Sequence, residues 1–402
     1  MEIQYLQNAV KYCRNSKFYQ LKLAKFSNNI YSIQDFQALP FTKKSELRNC
    51  DPMELVAVPP KCIRRIHTSS GTKGMPSITF YTNKDLSRWS IHLQRAFRSA
   101  GLKPGDRFQN MVGFGMFSGG LGFQTAAEEY GLMVIPIGPD NTERQVQFLI
   151  KFKVSAFIAI SSYIPIIIEY MRDHNINPRT DLSLKVIFIG AEPFNPIEKQ
   201  KWSDFFGIPV LGIYGMSEIE GPGIAFEENG IPGMCICNDD FFIEIIEPHS
   251  NKVLPIGEEG EIVVTTLKRN AMPLLRYRTG DVSRLIYPNL SKNHSSDVRL
   301  DYITHRLDDM VIIKGVNIYP EEVEKIILSF SEVYHFFEMI IYENDKVTIR
   351  LSLSSCVVVN DIEKKIKLEF KKWLFINISV EWVPISYFME KKRKRVTIID
   401  NR

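Results

Sequence analysis

Apolar residues recur at helical spacing over the first 60 residues of the chain, where Leu6 and Val10 are examples. From residue 61 to residue 281 the pattern changes. Short runs of β-branched and aromatic residues now alternate with helical stretches, and the apolar runs 157–160 and 186–189 are typical of buried strands. This alternation of strands and helices predicts an α/β fold built on a largely parallel sheet.

A β-rich segment follows the α/β layer, and residues 261–266 are its strongest predicted strand. We place a domain boundary near Asp308, because the pattern beyond it describes a small α+β unit. The predicted domains are residues 1–307, with a helical lead-in over 1–60 and a core over 61–307, and residues 308–402. The elements predicted for the small domain are an apolar strand at 311–313, a helix at 321–328, a strand at 346–353 and a helix at 360–374.

Charge and composition exclude several classes of protein. The 402 residues include 50 Lys and Arg against 46 Asp and Glu, and a net charge of +4 is too small for a nucleic-acid binder that relies on diffuse positive charge. A hydrophobic fraction of 45% excludes disorder as the main state. Six cysteines are too few for a disulfide scaffold, and we expect no signal peptide, because the first four residues lack the basic and apolar regions of one. The apolar stretch 154–168 is shorter than the ~20 residues that cross a bilayer, so we expect a cytoplasmic protein without a membrane or nucleic-acid partner.

A loop rich in glycine and hydroxyl residues lies between two predicted strands, 63–67 and 78–81. Its backbone N–H groups, hydroxyls and single ammonium group suit the binding of phosphate oxygens. The spacing differs from that of the phosphate-binding motif G-x-x-x-x-G-K-[ST], and an ordinary hairpin loop would have the same composition. The loop consists of Ser69, Ser70, Gly71, Thr72, Lys73 and Gly74.

Two acidic residues follow predicted strands. Glu218 comes after the strand-like run 209–213, and sites in α/β sheets gather at the carboxyl ends of strands. Glu218 could therefore hold Mg²⁺ beside phosphates, or alternatively Ser217 caps a helix that begins there. Asp281 follows Gly280 and could accept both hydroxyls of a ribose, or it could stabilise a turn through an Asx hydrogen bond.

Taken in order, these segments resemble the phenylacetate–CoA ligase group of the adenylate-forming enzymes. Residues Ser69 to Pro76 match the phosphate loop S-S-G-T-x-G-x-P of that group. The resemblance covers essentially the whole chain, from Leu39 to the last ten residues. Further matching blocks are Tyr81-Thr82 with Trp89, and residues 117–122, 141–145, 190–193, 221–223, 271–274 and 306–310.

The resemblance implies a large N-terminal adenylate-forming domain, with mixed parallel sheets and a β-rich subdomain, and a small mobile C-terminal domain. It also implies a reaction in two steps. A carboxylate attacks the α-phosphate of ATP to give an acyl-adenylate and pyrophosphate, and the thiol of coenzyme A then takes the acyl group and releases AMP. ATP, Mg²⁺ and coenzyme A are the implied cofactors.

Roles for individual residues follow from the resemblance. Residues Ser69–Gly74 would hold the β- and γ-phosphates, Glu218 would be catalytic and hold Mg²⁺, and Asp281 with Arg306 would bind the ribose. The residues that would line the adenine and complete the nucleotide site are Gly190, Ala191, Glu192, Pro193, Tyr214, Gly215, Met216 and Ser217.

Five consecutive basic residues, Lys391 to Arg395, lie close to the C-terminus. By composition they could be a solvated cluster, a nuclear-localisation signal or a nucleic-acid patch. The family motif E-G-K-x-x-R-V aligns with residues 390–396, and this makes Lys392 the catalytic lysine. Lys391 stands where the family has glycine, and Lys391 and Lys394 are alternatives to Lys392.

Asp308 falls where the superfamily has its hinge, about which the small domain rotates between two poses. One pose presents Lys392, and the other presents the loop with Lys314 and Gly315 to the channel for coenzyme A. His305 replaces a family glycine before the arginine, so the local backbone is expected to differ.

The predicted acyl pocket departs most from the family. Glu220 stands where an apolar residue is usual, and a carboxylate in an apolar pocket is costly unless it is paired. We therefore hypothesise that the acid carries an amino or hydroxyl donor; alternatively, Glu220 turns to solvent or to an arginine. The residues expected to line the pocket are Phe123, Gln124, Thr125, Gly190, Gly215, Glu220 and Gly221.

Cys235 and Cys237 form a C-x-C pair near Glu228 and Asp239. This pattern could indicate a zinc site. A single C-x-C without a second pair of ligands favours cysteines on the face of a strand instead.

The sequence thus predicts an AMP-forming acid–CoA ligase that acts on an aryl or arylacetic acid. One alternative is an adenylating enzyme that passes the acyl group to a carrier-protein phosphopantetheine or to an amine. A second alternative is a catalytically impaired homologue that acts as a binding protein, which the altered Lys391 and His305 would explain. Similar enzymes form homodimers, so we also expect a homodimer.

Overall fold

A computed structural model describes residues 3–27, 29–68, 76–116, 118–288, 298–307, 311–313, 316–334, 336–354, 359–390 and 396–402. The chain forms two compact units, Met1–Ile303 and Thr304–Arg402. The domain boundary that the sequence predicts at Asp308 lies outside the described residues, and it stays a prediction.

The first unit begins with short helices, as predicted for the lead-in. Ser16 and Ser32 each accept a hydrogen bond from a backbone N–H three residues on, and so cap the second and third helices. The buried faces of the first three helices share one apolar cluster with Leu275. The helices are α1 (Ile3–Cys13), α2 (Lys17–Lys22), α3 (Ile33–Gln37) and α4 (Lys44–Asn49), and two 3-10 turns follow at Pro52–Leu55 and Pro60–Cys62.

A mixed sheet of nine strands forms the centre of the first unit. Its central strands pair in parallel and are almost entirely buried, which is typical of a sheet covered by helices on its faces. The α/β fold with mixed parallel sheets is therefore confirmed. In spatial order the strands are β13 (Leu285–Ile286), β14 (Arg299–Leu300), β9 (Ile231–Ile236), β8 (Gly221–Glu228), β7 (Val210–Met216), β6 (Val186–Gly190), β5 (Ala156–Ile160), β3 (Arg107–Asn110) and β4 (Met133–Ile135).

The helices that accompany this sheet include one, α5 (Asn83–Ser99), that organises the site described below. Thr82 caps α5 in a reciprocal capping box with Asp85. The apolar side of α5 buries Trp89, Leu93 and Phe97. No described helix is long and apolar enough to cross a membrane. The other helices are α6 (Ser118–Tyr130), α7 (Thr142–Lys151), α8 (Ile164–Asp173), α9 (Pro178–Asp181) and α10 (Pro196–Phe206).

Two smaller sheets complete the first unit. The predicted strands on either side of the phosphate loop form an antiparallel hairpin, β1 (Ile63–Thr68) and β2 (Ile78–Thr82). The predicted β-rich segment contains three antiparallel strands, β10 (Phe241–Ile246), β11 (Gly260–Thr266) and β12 (Tyr277–Ser283). Both predictions are confirmed.

The second unit is a small α+β fold with its own apolar core, as the sequence predicts. Its main sheet has the strand order β20-β19-β18-β21, and a separate two-stranded sheet pairs β16 with β17. The elements are β15 (His305–Arg306), β16 (Val311–Ile313), β17 (Val316–Ile318), α11 (Pro320–Leu328), β18 (Phe337–Tyr342), β19 (Lys346–Leu351), α12 (Val359–Trp373), β20 (Ile378–Trp382), α13 (Ile385–Glu390) and β21 (Val396–Asp400).

Candidate active site

The carboxyl ends of β6 and β7 lie side by side. The two strands are parallel, and Gly190, the last residue of β6, pairs with Ile213 of β7. A Cβ atom at position 190 would lie 2.8 Å from the Ile213 carbonyl oxygen, so the close approach of the strands requires glycine there. Tyr214, Gly215 and Met216 complete β7. Two segments predicted to bind the nucleotide therefore meet at one edge of the sheet.

Tyr214 connects this edge to the β-rich sheet. Its hydroxyl donates a hydrogen bond to Oδ2 of Asp281, with 2.8 Å between the two oxygens. Asp281 lies in β12 and is buried, and its backbone N–H donates to Thr279 Oγ1 at 3.0 Å. The structure thus brings together Tyr214 and Asp281, which are 67 residues apart in the chain and were both predicted to bind the nucleotide.

The loop after β6 carries the other predicted adenine residues. Ala191 adopts a left-handed backbone conformation with φ +67°. Glu192 accepts a hydrogen bond from the Ser162 backbone N–H, with 3.1 Å between Ser162 N and Glu192 Oε2. Ala191 and Pro193 are exposed. The loop is therefore fastened at Glu192 to the segment that follows β5, while residues on either side of Glu192 are accessible.

Residues 217–220 form a turn between β7 and β8. The two strands are antiparallel neighbours, with Gly221 opposite Met216. A Cβ atom on Gly215 would lie 2.0 Å from the Gly221 carbonyl oxygen, so this hairpin is too tight for a side chain at position 215. The alternative that Ser217 caps a helix is therefore wrong, because the chain turns back at once into β8.

Glu218 is buried within this turn, and its side chain is only 4% exposed. The ammonium of Lys44 lies 3.4 Å from Glu218 Oε1. Oε1 nevertheless accepts no hydrogen bond from any residue that the structure describes. A buried carboxylate oxygen in this state is unusual, since buried polar atoms are normally hydrogen-bonded.

Three side chains from two other segments hold the backbone of the turn. Thr79 and Tyr81 of β2 donate hydrogen bonds to the carbonyl oxygens of Ser217 and Glu220, both at 2.8 Å. Arg269 donates to the carbonyl oxygen of Ile219, and its guanidinium lies 4.4 Å from the centre of the Tyr81 ring. Because β2 also follows the predicted phosphate loop, one strand adjoins both that loop and the turn that carries Glu218.

Glu220 is paired inside the protein. Its Oε2 lies 3.1 Å from Nδ1 of His92 on α5, and Nε2 of the same histidine lies 2.7 Å from Asp240 Oδ2. Burial alone would lower the pKa of His92, but the charges and hydrogen bonds of the two carboxylates outweigh burial and raise that pKa to about 9. The imidazole is therefore a cation between two carboxylates, and Glu220 turns neither to solvent nor to an arginine.

The three predicted acyl-pocket residues that follow Gly122 lie in different surroundings. Phe123 is buried in the main core, where its ring centre lies 6.5 Å from those of Phe97 and Phe108. Gln124 donates a hydrogen bond along α6 to Glu128, and Thr125 is half-buried. Their place in an acyl pocket stays a prediction.

Trp89 lies against the two glycine segments that the sequence places at the acyl site. Its indole N–H donates to the Pro222 carbonyl oxygen at 2.7 Å. Cβ atoms at Gly122 and Gly221 would lie 2.1 Å and 2.5 Å from its ring, so both positions require glycine to admit the indole. Trp89 also stacks on Tyr81, with 5.5 Å between ring centres. It is thus the large aromatic residue that joins β2, α6 and β8.

The two cysteines near β9 do not form a metal site with any described residues. Cys235 lies in β9, and Cys237 follows the strand in the buried core. Burial raises the pKa of the Cys237 thiol to about 12, so it stays protonated and is a poor metal ligand. The described residues contain no group of three His, Cys, Asp or Glu side chains arranged to hold a metal ion.

Most of the remaining predicted site residues lie outside the described part of the chain. The phosphate loop Ser69–Gly74, the hinge residue Asp308, the channel residues Lys314 and Gly315, and the basic run Lys391–Arg395 with Lys392 all lie outside the described residues. Arg306 lies in β15 of the second unit. Their roles stay predictions.

Comparison with known proteins identifies the family. A model of the AMP-binding enzymes matches residues 18–269, and a model of the C-terminal domain of AMP-binding enzymes matches residues 315–402. The phenylacetate–coenzyme A ligase of Aromatoleum evansii is 40% identical over 301 residues, which are 75% of this chain and 67% of that protein. The phenylacetate–coenzyme A ligase of Pseudomonas putida is 34% identical over 385 residues, covering 93% of this chain and 87% of that protein.

The chain belongs to the phenylacetate–coenzyme A ligase family of AMP-binding enzymes. It is accordingly an AMP-forming acid–thiol ligase. A crystal structure of a 2-hydroxyisobutyryl-CoA ligase in complex with 2-HIB-AMP, 25% identical, superimposes with a TM-score of 0.87 over 100% of this chain and 89% of that one. The predicted family and fold are therefore confirmed.

Ligases of this family use ATP, Mg²⁺ and coenzyme A. Among the described residues, those of the turn after β7 are suited to bind a divalent cation. There the buried carboxylate of Glu218 keeps Oε1 without a hydrogen bond from the described residues, and a carboxylate oxygen is the kind of ligand that Mg²⁺ takes. Tyr214 and Asp281, hydrogen-bonded to each other near the end of β7, offer polar groups where this ligase is expected to hold the ribose.

Sequence reasoning missed the residues that hold the turn of this ligase in place. Thr79, Tyr81 and Arg269 act on backbone atoms, and such contacts leave no pattern in the sequence. His92 could have been found, because four ionisable residues of α5 recur at helical spacing along one side of the helix. Those four residues are Asp85, Arg88, His92 and Arg95.

Proposed function

We propose that this ligase activates an arylacetic acid with ATP and transfers the acyl group to coenzyme A. The relatives named phenylacetate–coenzyme A ligases, at 34% and 40% identity, support this substrate class. The observation in the structure that supports it best is the buried Glu218 carboxylate in the turn after β7, whose Oε1 accepts no hydrogen bond from the described residues and lies 3.4 Å from the Lys44 ammonium.

In the first step, an oxygen of the substrate carboxylate forms a bond to the α-phosphorus of ATP while the bond from that phosphorus to the pyrophosphate oxygen breaks. We assign Glu218 to the cation that accompanies the phosphates, and Asp281, held by Tyr214, to the ribose hydroxyls. When bound, Mg²⁺ would neutralise part of the phosphate charge. Lys392 is proposed to bridge the substrate carboxylate and the α-phosphate, which stabilises the charge that develops between them.

In the second step, the sulfur of coenzyme A forms a bond to the acyl carbon, AMP leaves with the electron pair of the broken C–O bond, and the thiol proton passes to solvent. We assign Lys314 and Gly315 to the channel for coenzyme A, Arg306 to the ribose and Asp308 to the hinge. A carrier-protein thiol remains an alternative acceptor, and the homodimer remains a proposal.

The pairing of Glu220 affects which acid is proposed. An amino or hydroxyl donor on the acid was expected because a lone carboxylate in an apolar pocket needs a partner. His92 supplies that partner at 3.1 Å. We therefore favour an arylacetic acid without such a donor, and we assign the selection of the ring to the region around Trp89, Pro222 and the glycines at 122 and 221.

Pyrophosphate release with a panel of acids, with and without coenzyme A, tests the proposed function. Phenylacetate is expected to support release, and a thioester is expected to form only when coenzyme A is present. Release with none of the aryl or arylacetic acids would overturn the proposal, and thioester formation with a phosphopantetheinylated carrier protein alone would replace the acceptor.

Variants of two site residues test the mechanism. We expect Glu218→Gln to lower adenylation roughly hundredfold, since it removes the charge that faces the cation. Lys392→Ala is expected to abolish adenylation. If Lys392→Ala retains adenylation, the bridging role passes to Lys391 or Lys394.

A further inference from the structure

The turn that carries Glu218 has a side-chain attachment of its own, besides the hydrogen bonds to its backbone. Glu220 lies two residues after Glu218, and its carboxylate bonds to His92 on α5. His92 in turn bonds to Asp240, in the short segment between β9 and β10. Three segments that are distant in sequence are thus joined at one imidazole.

This cluster is buried. The side chains of His92, Glu220 and Asp240 are 1%, 7% and 9% exposed. Asp240 has two further cations near its Oδ1, Arg88 at 2.8 Å and Lys268 at 3.2 Å. Asp85 and Arg269 also border the cluster, and the Phe241 ring centre lies 5.3 Å from that of His92. Glu220, in contrast, has His92 as its one cationic partner among the described ion pairs.

The two ends of the turn are held by contacts to other segments, and Glu220 lies at one of these ends. The backbone N–H groups of Ile219 and Glu220 both donate to the Met216 carbonyl oxygen at 3.2 Å, so residues 217–220 form one short hydrogen-bonded loop. Its Ser217 end is held by Thr79, and its Glu220 end is held by Tyr81 through the backbone and by His92 through the side chain. Glu218 lies between these two ends.

We propose that His92 and Glu220 are positioning residues for the cation site, and that their pair fixes the turn so that the Glu218 carboxylate meets Mg²⁺·ATP in a single preset position. This inference rests on the proposed function of Glu218. It assigns neither His92 nor Glu220 to contact with the substrate. Preset ligands bind more tightly because less freedom is lost on binding.

The test compares Glu220→Ala with a control variant on α5, the helix that carries His92. Arg95→Met breaks the Arg95–Asp239 pair, which joins α5 to the residue next to Asp240 but does not reach the turn. For the full-length protein, two quantities are measured: the Mg²⁺ concentration that gives half-maximal pyrophosphate release, and the gain in Tm that Mg²⁺ adds to ATP alone. Glu218→Gln defines the behaviour of a protein without the cation ligand.

We expect Glu220→Ala to raise the half-saturating Mg²⁺ concentration about tenfold and to lose most of the gain in Tm from Mg²⁺, while Arg95→Met leaves both at the wild-type value. The double variant His92→Leu/Glu220→Met replaces the ion pair with two apolar side chains that can pack together. We expect its half-saturating Mg²⁺ concentration and its gain in Tm from Mg²⁺ to return most of the way to the wild-type values. Such a recovery would show that the pair acts by positioning the turn, since the double variant has no charge at either position.

Three results would overturn the inference. The first is a Glu220→Ala protein with a lower Tm but an unchanged dependence on Mg²⁺, which would make the pair merely structural. The second is an equal shift in Arg95→Met, which would make the effect one of general stability. The third is a double variant that behaves like Glu220→Ala. If the wild type releases no pyrophosphate with any acid, the proposed function fails, while the gain in Tm from Mg²⁺ with ATP still tests the positioning of Glu218.

Discussion

Helix α5 makes ion pairs to two consecutive aspartates, and the pairs made by Arg95 and His92 differ in burial. Arg95 donates two hydrogen bonds of 2.7 Å to Asp239, with 37% and 41% of the two side chains exposed. His92 lies 2.7 Å from Asp240, with side chains 1% and 9% exposed. The distances are the same, yet the cost of removing one partner should differ several-fold, because exposed pairs are solvated by water and buried charges are not.

The largest effect is expected when the buried cation is removed. In His92→Leu the Glu220 carboxylate loses its partner while it stays buried, and a broken buried pair costs about 3–5 kcal/mol. We expect the free energy of unfolding in urea to fall by that amount. A loss below about 1 kcal/mol would contradict the comparison, since it would give the buried pair the energetics of an exposed one.

The next effect is a dependence of stability on pH. The pKa of His92 is raised from 6.5 to about 9 in the folded protein, so its contribution to stability is complete below pH 6.5 and is lost as the pH rises through 9. The loss is on the order of 3 kcal/mol when each pKa unit counts as about 1.4 kcal/mol. The measurement is the difference in unfolding free energy between wild type and the double variant His92→Leu/Glu220→Met at pH 6 and pH 9.5.

The exposed pair between Arg95 and Asp239 is expected to depend on pH in a different range. The hydrogen bonds from Arg95 lower the pKa of Asp239 to about 2. The contribution of this pair to stability is therefore lost only under acid conditions, as the pH falls through 2. Between pH 6 and pH 9.5, Asp239→Asn should therefore differ from wild type by a constant amount. A difference that grows with pH for this variant would mean that another group titrates.

The contrast between the two pairs also shows where sequence reasoning succeeds. The strands at 157–160 and 186–189 and four elements of the second unit follow from local periodicity, and the structure has elements at those places. Other elements of the second unit, such as β18, β20 and β21, were not predicted. Glu218 at the end of β7 was placed by the same reasoning, since a strand and its end are local features. The alternative that Ser217 caps a helix was also left open, and the structure shows a tight turn between two antiparallel strands there instead.

That hairpin and the partner of Glu220 depend on contacts that local patterns do not encode. The turn back into β8 follows from the fit between Gly215 and the Gly221 backbone, which only the pairing of β7 with β8 creates. His92 lies 128 residues from Glu220 and 148 from Asp240 along the chain. The sequence showed that Glu220 needed a partner, but it could not say which of many distant cations supplies it.

A smaller effect is expected when both members of the buried pair are replaced together. Buried ion pairs are often no more stabilising than apolar side chains of similar volume, because two charges must be desolvated. In His92→Leu/Glu220→Met the remaining carboxylate, Asp240, keeps Arg88 and Lys268. We expect its unfolding free energy at pH 7 to lie within about 1 kcal/mol of wild type. A loss as large as that of His92→Leu alone would show that Asp240 is the partner that matters.

The smallest effect is expected at the exposed pair. Arg95→Met keeps much of the aliphatic stem and removes two hydrogen bonds to a half-exposed carboxylate, so the unfolding free energy should fall by about 0.5–1 kcal/mol. Added salt should narrow the difference from wild type, since ions screen exposed charges within about 10 Å at 0.1 M. The same salt series should leave the His92→Leu difference unchanged, because that pair is buried. An equal response to salt at both sites would mean that burial does not separate these two pairs.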